Sequence, residues 1–238
     1  MLTVRDVHTF YGSSHVLQGV SLTVADGEVL GILGRNGMGK TTLVHTITGL
    51  LRPRRGVITF GGHDIVGAAP ERISRAGVTL VPQGHRVFPS LTAGENLKVA
   101  VRRGRGRGKD WSVDEIVDRF PVLGERWNTM AGLLSGGQQQ MLALGRALVG
   151  NGRLIVLDEP TEGLDPRTVG LVAGVIDEIR RRGTAAILVE QKVDFALRRV
   201  DRAVVLSRGM VVHEATDPAA LRTDTATLNR LLAVGLST

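Results

Sequence analysis

The sequence predicts an α/β protein with a parallel-sheet core, an N-terminal antiparallel β subdomain and an inserted helical block. Three observations support this prediction. Short β-branched runs fill the first sixty residues, helical patterns fill residues 85–150, and strand–helix alternation resumes from residue 154. The chain has 238 residues, of which 42% are hydrophobic, so it can bury a substantial core within one domain.

In the first part of the chain, β-branched runs separated by turns predict five strands. They are Val4–Val7, Val16–Val24, Val29–Leu33, Val57–Phe60 and Val78–Val81. The pair Asp26-Gly27 predicts a hairpin turn between the second and third of these strands. An apolar stripe at helical spacing over residues 40–50 predicts a helix that ends before Pro53.

The remainder of the chain predicts a run of helices and then renewed alternation. Helices are expected at Gly94–Val101, Val113–Phe120, Gly137–Val149 and over residues 166–182, and strands at Leu154–Leu157, Ala185–Val189 and Ala203–Leu206. The tail from Pro218 predicts one or two short helices. We therefore expect residues 1–84 and 151–238 to form the α/β core of a single domain, with residues 85–150 as a helical insertion.

Composition excludes several classes of function. The chain has no cysteine, which excludes disulfides, thiolate zinc sites, iron–sulfur clusters and cysteine nucleophiles. We find no signal-peptide pattern and no apolar run near the ~18 residues of a membrane helix, so we expect a cytoplasmic protein. The net charge is +7, and five of the 30 basic residues lie within residues 102–109. We interpret this Arg/Gly segment as a solvated loop, because only Trp111 lies nearby to stack on bases, and we do not expect a nucleic-acid partner.

Residues 34–41 match the phosphate-loop pattern G-x-x-x-x-G-K-[ST] between a predicted strand and a predicted helix. The glycines let successive backbone N–H groups point at phosphate oxygens, and the helix N-terminus adds partial positive charge. We expect Lys40 to reach the β- and γ-phosphates and the Thr41 hydroxyl to coordinate Mg²⁺. The predicted nucleotide-binding residues here are Gly34, Arg35, Asn36, Gly37, Met38, Gly39, Lys40, Thr41 and Thr42.

Two carboxylates, Asp158 and Glu159, follow an apolar strand pattern. Carboxylates at the end of a buried strand are costly unless they bind a ligand or a partner. We expect Asp158 to hold Mg²⁺ through water, and Glu159 to act as the base that polarises an attacking water. The alternative, an ordinary strand that enters an acidic loop, is disfavoured by the phosphate loop in the same chain.

A third segment consists of Leu134, Ser135, Gly136, Gly137 and Gln138, directly before a predicted helix. Ser135 is a typical N-cap residue, and the two glycines leave amides free at the helix start. A capped helix alone would explain Ser135. Helix capping does not explain why all five residues 134–138 occur together, between the phosphate loop and the two carboxylates.

Together these three segments resemble the ATP-binding subunit of ABC transporters, over residues 2 to about 215. The resemblance implies a P-loop NTPase fold of the RecA-like type, ATP hydrolysis, and ATP and Mg²⁺ as cofactors. It also implies a dimer with a paralogous ATPase or with a second copy of this chain. In that dimer residues 134–138 are the signature that caps the γ-phosphate bound to the partner.

The resemblance implies roles for four further residues. Tyr11 is expected to stack on adenine, Gln83 to sense Mg²⁺ and contact the membrane subunits, and Asp165 to lie at the dimer interface. Gln191 occupies the catalytic switch position, where most relatives carry histidine. A glutamine there can hydrogen-bond the γ-phosphate or position water, but it cannot carry a proton. Met38 is a second departure, because small residues are usual at that position.

Several stretches are similar to one branch of the family, the smaller ATPase of branched-chain (hydrophobic) amino-acid importers. They are residues 33–37, 88–92, 135–143, 159–164 and 189–191. The close relative in urea and short-chain amide importers fits several of them equally well. This resemblance implies a peripheral protein on the inner face of the membrane that works with two transmembrane permease subunits and an extracytoplasmic substrate-binding protein.

Three other functions remain as alternatives. An exporter ATPase would carry the same motor segments. A soluble ABC ATPase acting on ribosomes or DNA would use the Arg/Gly segment, although such relatives usually carry two cassettes in one chain. A GTPase or small-molecule kinase is disfavoured, because the guanine-reading Asn-Lys-x-Asp is absent and neither class carries the Ser135–Gln138 segment.

Overall fold

The computed structural model of the chain describes residues 1–84, 86–102 and 110–233. The Arg/Gly segment that we interpret as a solvated loop lies outside the described residues from position 103 onward. The strands are β1 (Leu2–Tyr11), β2 (Ser14–Val24), β3 (Val29–Leu33), β4 (Arg55–Phe60), β5 (His63–Asp64), β6 (Val78–Val81), β7 (Leu154–Asp158), β8 (Ala185–Glu190), β9 (Arg202–Ser207) and β10 (Met210–Ala215).

Ten α-helices are present in the described part of the chain. They are α1 (Lys40–Ile47), α2 (Pro70–Ala76), α3 (Ala93–Ala100), α4 (Val113–Arg119), α5 (Pro121–Glu125), α6 (Gly136–Val149), α7 (Pro166–Arg181), α8 (Val193–Leu197), α9 (Pro218–Thr223) and α10 (Thr225–Ala233). In the described ranges, none of the helices combines the length and apolar character needed to cross a bilayer.

The strands form two sheets, as the sequence predicts. An N-terminal antiparallel sheet has the order β2-β1-β4-β5, and a six-stranded sheet has the order β10-β9-β3-β8-β7-β6. The six-stranded sheet is parallel except for β10, which pairs antiparallel with β9 at one edge. The α/β parallel-sheet core with an antiparallel β subdomain is therefore confirmed.

The central strands β3, β7 and β8 are buried along their whole length. Their apolar side chains project from both faces of the sheet, and both faces are covered. On β3, Leu30 and Ile32 join a core shared with the antiparallel sheet and α1. Val29 and Leu33 point to the other face, into a core shared with the helices of residues 93–149. The sheet is thus the common wall of two apolar cores.

The expected hairpin at Asp26-Gly27 is wrong. β2 belongs to the antiparallel sheet, whereas β3 lies between β8 and β9 in the other sheet. Both edges of β3 are occupied by parallel partners, so β2 has no free edge of β3 to pair with. Asp26-Gly27 instead turns the chain from one sheet to the other, and Gly27 adopts φ +77° for this turn.

The register of the parallel strands brings the predicted functional segments to one edge of the sheet. Leu33 pairs with Glu190, Asp158 with Val189, and Val81 with Leu157. The segments that follow β3, β6, β7 and β8 therefore leave the sheet side by side at its carboxyl edge. In open α/β sheets this edge is where ligands bind.

The helices α3 to α6 lie in sequence between β6 and β7, which are neighbours in the sheet. Three of them begin with capping boxes, at Thr92 with Glu95, at Ser112 with Glu115, and at Ser135 with Gln138. The assignment of residues 85–150 as a helical insertion stays a prediction. Within residues 93–149 the described elements are helical apart from an isolated bridge between Thr92 and Met130 at the start of the block.

Candidate active site

The phosphate-loop segment has a backbone that only glycine accommodates. Gly39 and Gly37 have φ of +99° and +77°, in the left-handed region that L side chains rarely adopt. Gly34 lies so close to β9 that a Cβ atom there would be 2.4 Å from the carbonyl oxygen of Leu206. The helix α1 begins directly after Gly39, at Lys40. The loop thus wraps the N-terminus of α1 as the motif predicts.

A cavity of about 420 Å³ opens over this loop. It collects predicted residues from four separate segments of the chain. Its lining consists of Tyr11, Val16, Asn36, Gly37, Gly39, Lys40, Thr41, Thr42, Gln83 and Glu159. The Tyr11 side chain is 49% exposed, which leaves a ring face accessible for stacking. The cavity joins phosphate-loop amides, a cation and a carboxylate in one space.

Lys40 is held by three oxygens inside the site. Its Nζ donates to the carbonyl oxygens of Gly34, at 2.8 Å, and of Arg35, at 3.1 Å. The same atom lies 3.2 Å from Oε1 of Glu159, and both side chains are at most 5% exposed. The ion pair compensates two charges that would be costly to bury separately.

The other carboxylate oxygen of Glu159 accepts two side-chain hydrogen bonds. Nε2 of Gln191 donates to Oε2 at 2.5 Å, and Nε2 of Gln83 donates to the same oxygen at 3.3 Å. Glu159 itself has φ +49°, an uncommon backbone conformation for a side chain of this size. Gln83 also donates to Oε2 of Glu162, at 2.8 Å. The glutamine predicted to sense Mg²⁺ and the glutamine at the predicted switch position therefore both donate to the predicted base.

Asp158 has an environment that suits a cation ligand. The residue is 1% exposed, and burial raises the pKa of its carboxyl group to about 6, against the opposing effect of a hydrogen bond from Thr41. Its Oδ1 is buried and has no hydrogen-bond partner within the described residues. A carboxylate oxygen and a hydroxyl oxygen side by side are the hard ligands that Mg²⁺ prefers.

The signature segment lines a different cavity. Ser135 caps α6, and its backbone N–H donates to Oε1 of Gln138 at 3.0 Å. Asp165 caps α7 through Thr168, which also lies against Gly137. A second cavity of about 730 Å³ runs along Ser135, Gly137, Gln138 and Asp165. Across the described ranges, no residue lines both this cavity and the one over the phosphate loop.

Met38 ties the phosphate loop to the turn between β9 and β10. Its Sδ accepts from the backbone N–H of Arg208 at 3.3 Å, and its carbonyl oxygen accepts from the N–H of Gly209 at 3.1 Å. A small residue at position 38 would keep the second contact and lose the first. The unusual side chain thus fills the space between two loops.

The sequence predicts no role for one buried group at this edge. Glu190, the last residue of β8, is 2% exposed and accepts hydrogen bonds from Thr161 and from the backbone after β8. Burial raises the pKa of its carboxyl group against the effect of these donors. The signal was present, because Glu190 ends an apolar run just as Asp158 does.

Comparison with known proteins gives a consistent assignment. The family model described as ABC transporter matches residues 17–162. BraG, the high-affinity branched-chain amino acid transport ATP-binding protein of Pseudomonas aeruginosa, is 40% identical over 224 residues, covering 93% of this chain and 95% of that protein. A probable branched-chain amino acid transport ATP-binding protein of Archaeoglobus fulgidus, LivF, is 34% identical over 217 residues, covering 91% and 92%.

The solved structures agree with the sequence relatives. A dimeric ATP-binding cassette in a post-hydrolysis state, bound to ADP and Pi, superposes with a TM-score of 0.75 at 27% identity, covering 91% of this chain and 99% of that chain. The region matched by the family model holds the phosphate loop, the signature segment and the two carboxylates Asp158 and Glu159. This chain therefore belongs to the ABC transporter family and is an ATP-binding subunit with ATPase activity coupled to transport.

Proposed function

We propose that the chain is the ATP-hydrolysing subunit of an importer for branched-chain or other hydrophobic amino acids. The observation that carries the proposal is the 40% identity to BraG over nearly the whole of both chains. The similarity to LivF, whose name gives the same class of substrate, also supports it.

For the nucleotide site we propose that Lys40 and the loop amides hold the β- and γ-phosphates while Tyr11 stacks on adenine. The bonds from Lys40 to Gly34 and Arg35 support this, because they fix the cation beside the loop amides. The exposed face of Tyr11 at the same cavity supports the stacking role.

We propose that Thr41 and Asp158 hold Mg²⁺, with Gln83 next to them. The buried, unpartnered Oδ1 of Asp158 supports this assignment. When bound there, the cation neutralises negative charge on the phosphate oxygens. Gln83 already donates to Glu159 and Glu162, so its amide is well placed to respond to a change in charge at the site.

In the proposed hydrolysis, Glu159 accepts the proton of an attacking water. Its Oε1 faces Lys40 and its Oε2 faces Gln191, so the carboxylate is held on both sides. Gln191 orients the base and the water through its amide and exchanges no proton itself. Catalysis by this site is then mostly positioning and charge neutralisation.

The proposed assembly is a dimer, with a paralogous ATPase or a second copy, in which the Ser135–Gln138 segment caps ATP on the partner chain. The cavity linings support this, because across the described residues the cavity along the signature shares no lining residue with the cavity over the phosphate loop. The dimer would act on two permease subunits at the inner face of the membrane, with an extracytoplasmic protein supplying substrate.

Uptake of labelled leucine and labelled urea, in cells with and without this chain, tests the proposal. Loss of leucine uptake alone is expected, with recovery by the wild-type chain and by the distant control Glu178→Gln, but not by Glu159→Gln. Loss of urea uptake alone would assign the chain to the branch of urea and short-chain amide importers instead. Unchanged uptake of both would overturn the importer assignment and leave the ATPase.

A further inference from the structure

The carboxylate of Glu190 joins two segments at the carboxyl edge of the sheet. Its Oε1 accepts from the backbone N–H and the hydroxyl of Thr161, at 3.2 and 2.7 Å. Its Oε2 accepts from the backbone N–H groups of Gln191 and Lys192, at 3.2 and 3.4 Å. All four contacts are donors to the carboxylate, so the ionised form satisfies every one of them.

The two joined segments are those that carry the proposed base and the switch glutamine. Thr161 is two residues beyond Glu159, and Gln191 is the residue directly after Glu190. The Gln191 amide then reaches back to Glu159 at 2.5 Å. The contacts form a closed loop that runs from Glu159 through Thr161, Glu190 and Gln191 to Glu159 again.

Two further contacts brace the Glu159–Thr161 segment. Nζ of Lys192 donates to the carbonyl oxygen of Thr161 at 3.2 Å. Nε2 of Gln140 on α6 donates to the carbonyl oxygen of Pro160 at 2.9 Å. The helix that begins at the signature and the strand that ends at Glu190 therefore hold the same three-residue segment.

A buried carboxylate at this position needs an explanation, because an apolar side chain would fill the same space without the free-energy cost of burying a charge. Burial of an ionised group costs several kcal/mol unless hydrogen bonds compensate it. β8 is already paired on both edges, by β3 and β7, so the strand does not need Glu190 to stay in the sheet. The arrangement is better explained by what the carboxylate connects.

We propose that Glu190 is a positioning residue for ATP hydrolysis, which sets the Gln191 amide against the Glu159 carboxylate by clamping Thr161 and the start of the segment after β8. The inference rests on the proposed roles of Glu159 and Gln191. It assigns Glu190 no contact with ATP or water, so its effect passes through Gln191.

The first test is Glu190→Gln, which keeps the size and shape of the side chain. The NH₂ group of a glutamine would face either the two donors of Thr161 or the backbone N–H groups of Gln191 and Lys192. An NH₂ group cannot accept from them, so the hydrogen bonds to one of the two segments are lost. We expect kcat to fall on the order of ten- to a hundred-fold. KM for ATP should stay within about two-fold, because Lys40 and the phosphate loop are untouched.

A matched control separates this effect from general destabilisation. Glu178 on α7 also accepts several side-chain hydrogen bonds, from Arg181 and Arg182, but it lines neither the cavity over the phosphate loop nor the cavity along the signature. Glu178→Gln should lower thermal stability without changing kcat. If Glu190→Gln and Glu178→Gln behave alike, the inference is overturned.

The variants Thr161→Val and Thr161→Ser provide a second test of the inference if Glu190→Gln fails to fold. Valine removes only the hydroxyl donor to Glu190, whereas serine keeps it. We expect the valine variant to lower kcat and the serine variant to restore most of it. Equal kcat in the two variants would overturn the inference that Glu190 positions the site through Thr161.

A double-mutant cycle with Gln191→Ala distinguishes failure of this inference from failure of the proposed site. If Glu190 acts through Gln191, adding Glu190→Gln to Gln191→Ala should change kcat by less than about two-fold. If the fold-decreases in kcat from Glu190→Gln and Gln191→Ala multiply in the double variant, the inference is overturned and the proposed role of Gln191 stays intact. An unchanged kcat in Gln191→Ala alone would remove the proposed role of Gln191 and the inference with it.

Discussion

The Nζ of Lys40 lies 3.2 Å from Oε1 of Glu159, and neither side chain is more than 5% exposed. The cation proposed to hold phosphate and the carboxylate proposed to activate water thus neutralise each other. Phosphate oxygens would compete with Glu159 for the same Nζ. Under the proposed roles, nucleotide binding and release of the base are linked at a single pair of atoms.

Lys40→Ala should abolish nucleotide binding and also destabilise the fold. The variant removes the cation beside the phosphate loop and leaves Glu159 as a buried carboxylate without its partner. Breaking a buried pair in this way typically costs about 3–5 kcal/mol. Binding of a fluorescent ATP analogue and denaturant unfolding would measure the two effects.

The control for the stability effect is the double variant Lys40→Ala with Glu159→Gln. It carries no buried charge at this position, so it should recover part of the lost stability while nucleotide binding stays absent. Affinity for the analogue that equals the wild-type value in Lys40→Ala would contradict the proposed site.

Glu159→Gln should bind ATP but lose most of its turnover. The amide keeps the shape of the side chain and cannot accept a proton, and general-base catalysis typically contributes about 10²–10⁴-fold. Steady-state hydrolysis and an ATP-binding titration on the same sample would check this. Hydrolysis at the wild-type rate would show that Glu159 is not the base.

Asp158 should make the nucleotide-free and metal-free protein less stable as the pH rises. Burial raises the pKa of this carboxyl group from 3.8 to about 6, so the folded chain binds the proton more tightly than the unfolded chain. The resulting stability is fully present below about pH 3.8 and is lost as the pH rises through about 6. Two pKa units correspond to about 3 kcal/mol.

The matched variant for that measurement is Asp158→Asn, which cannot titrate. Between pH 4 and pH 7 the wild-type chain should lose more unfolding free energy than Asp158→Asn does, with EDTA present throughout. Parallel stability curves for the two proteins would show that the Asp158 carboxyl group does not titrate in this range.

Gly34→Ala should destabilise the phosphate loop and abolish nucleotide binding. Its Cβ would lie 2.4 Å from the backbone oxygen of Leu206, which cannot move without disturbing β9. Gly170→Ala on α7 is the control, because a Cβ there meets nothing within 4 Å. The control should be neutral or stabilising by about 0.5–1 kcal/mol. Thermal melting with and without ATP would compare the two variants.

The elements best predicted from the sequence were those in which local pattern and tertiary role agree. β3, β7 and β8 are apolar because both faces of the sheet are covered, and their boundaries agree with the prediction within one residue. The short elements α2, α5 and β10 were missed, because each has little periodicity and is fixed by its neighbours in space. The hairpin predicted at Asp26-Gly27 was wrong, since a turn signal does not say which strands will pair.

The residues of the site were predictable where a motif names them and unpredictable where only contact defines them. The phosphate loop and the Asp158–Glu159 pair stand out because glycine and carboxylate in those places have a physical cost. The bonds from Gln83 and Gln191 to a single oxygen of Glu159 depend on strand register, which a linear sequence does not display. Glu190 gave the same signal as Asp158, but the stretch of residues 189–191 that contains it gave it no role of its own.

The apolar cluster on one face of the six-stranded sheet has a consequence for cooperativity. It runs without a break from the sheet and α7 into α3, α4 and α6. Gly145 on α6 approaches Ile116 so closely that a Cβ would lie 2.7 Å from its methyl carbon. The helical block and the sheet should therefore melt in one calorimetric transition, and a helical fragment excised from the chain would lose the part of its interior that the sheet supplies.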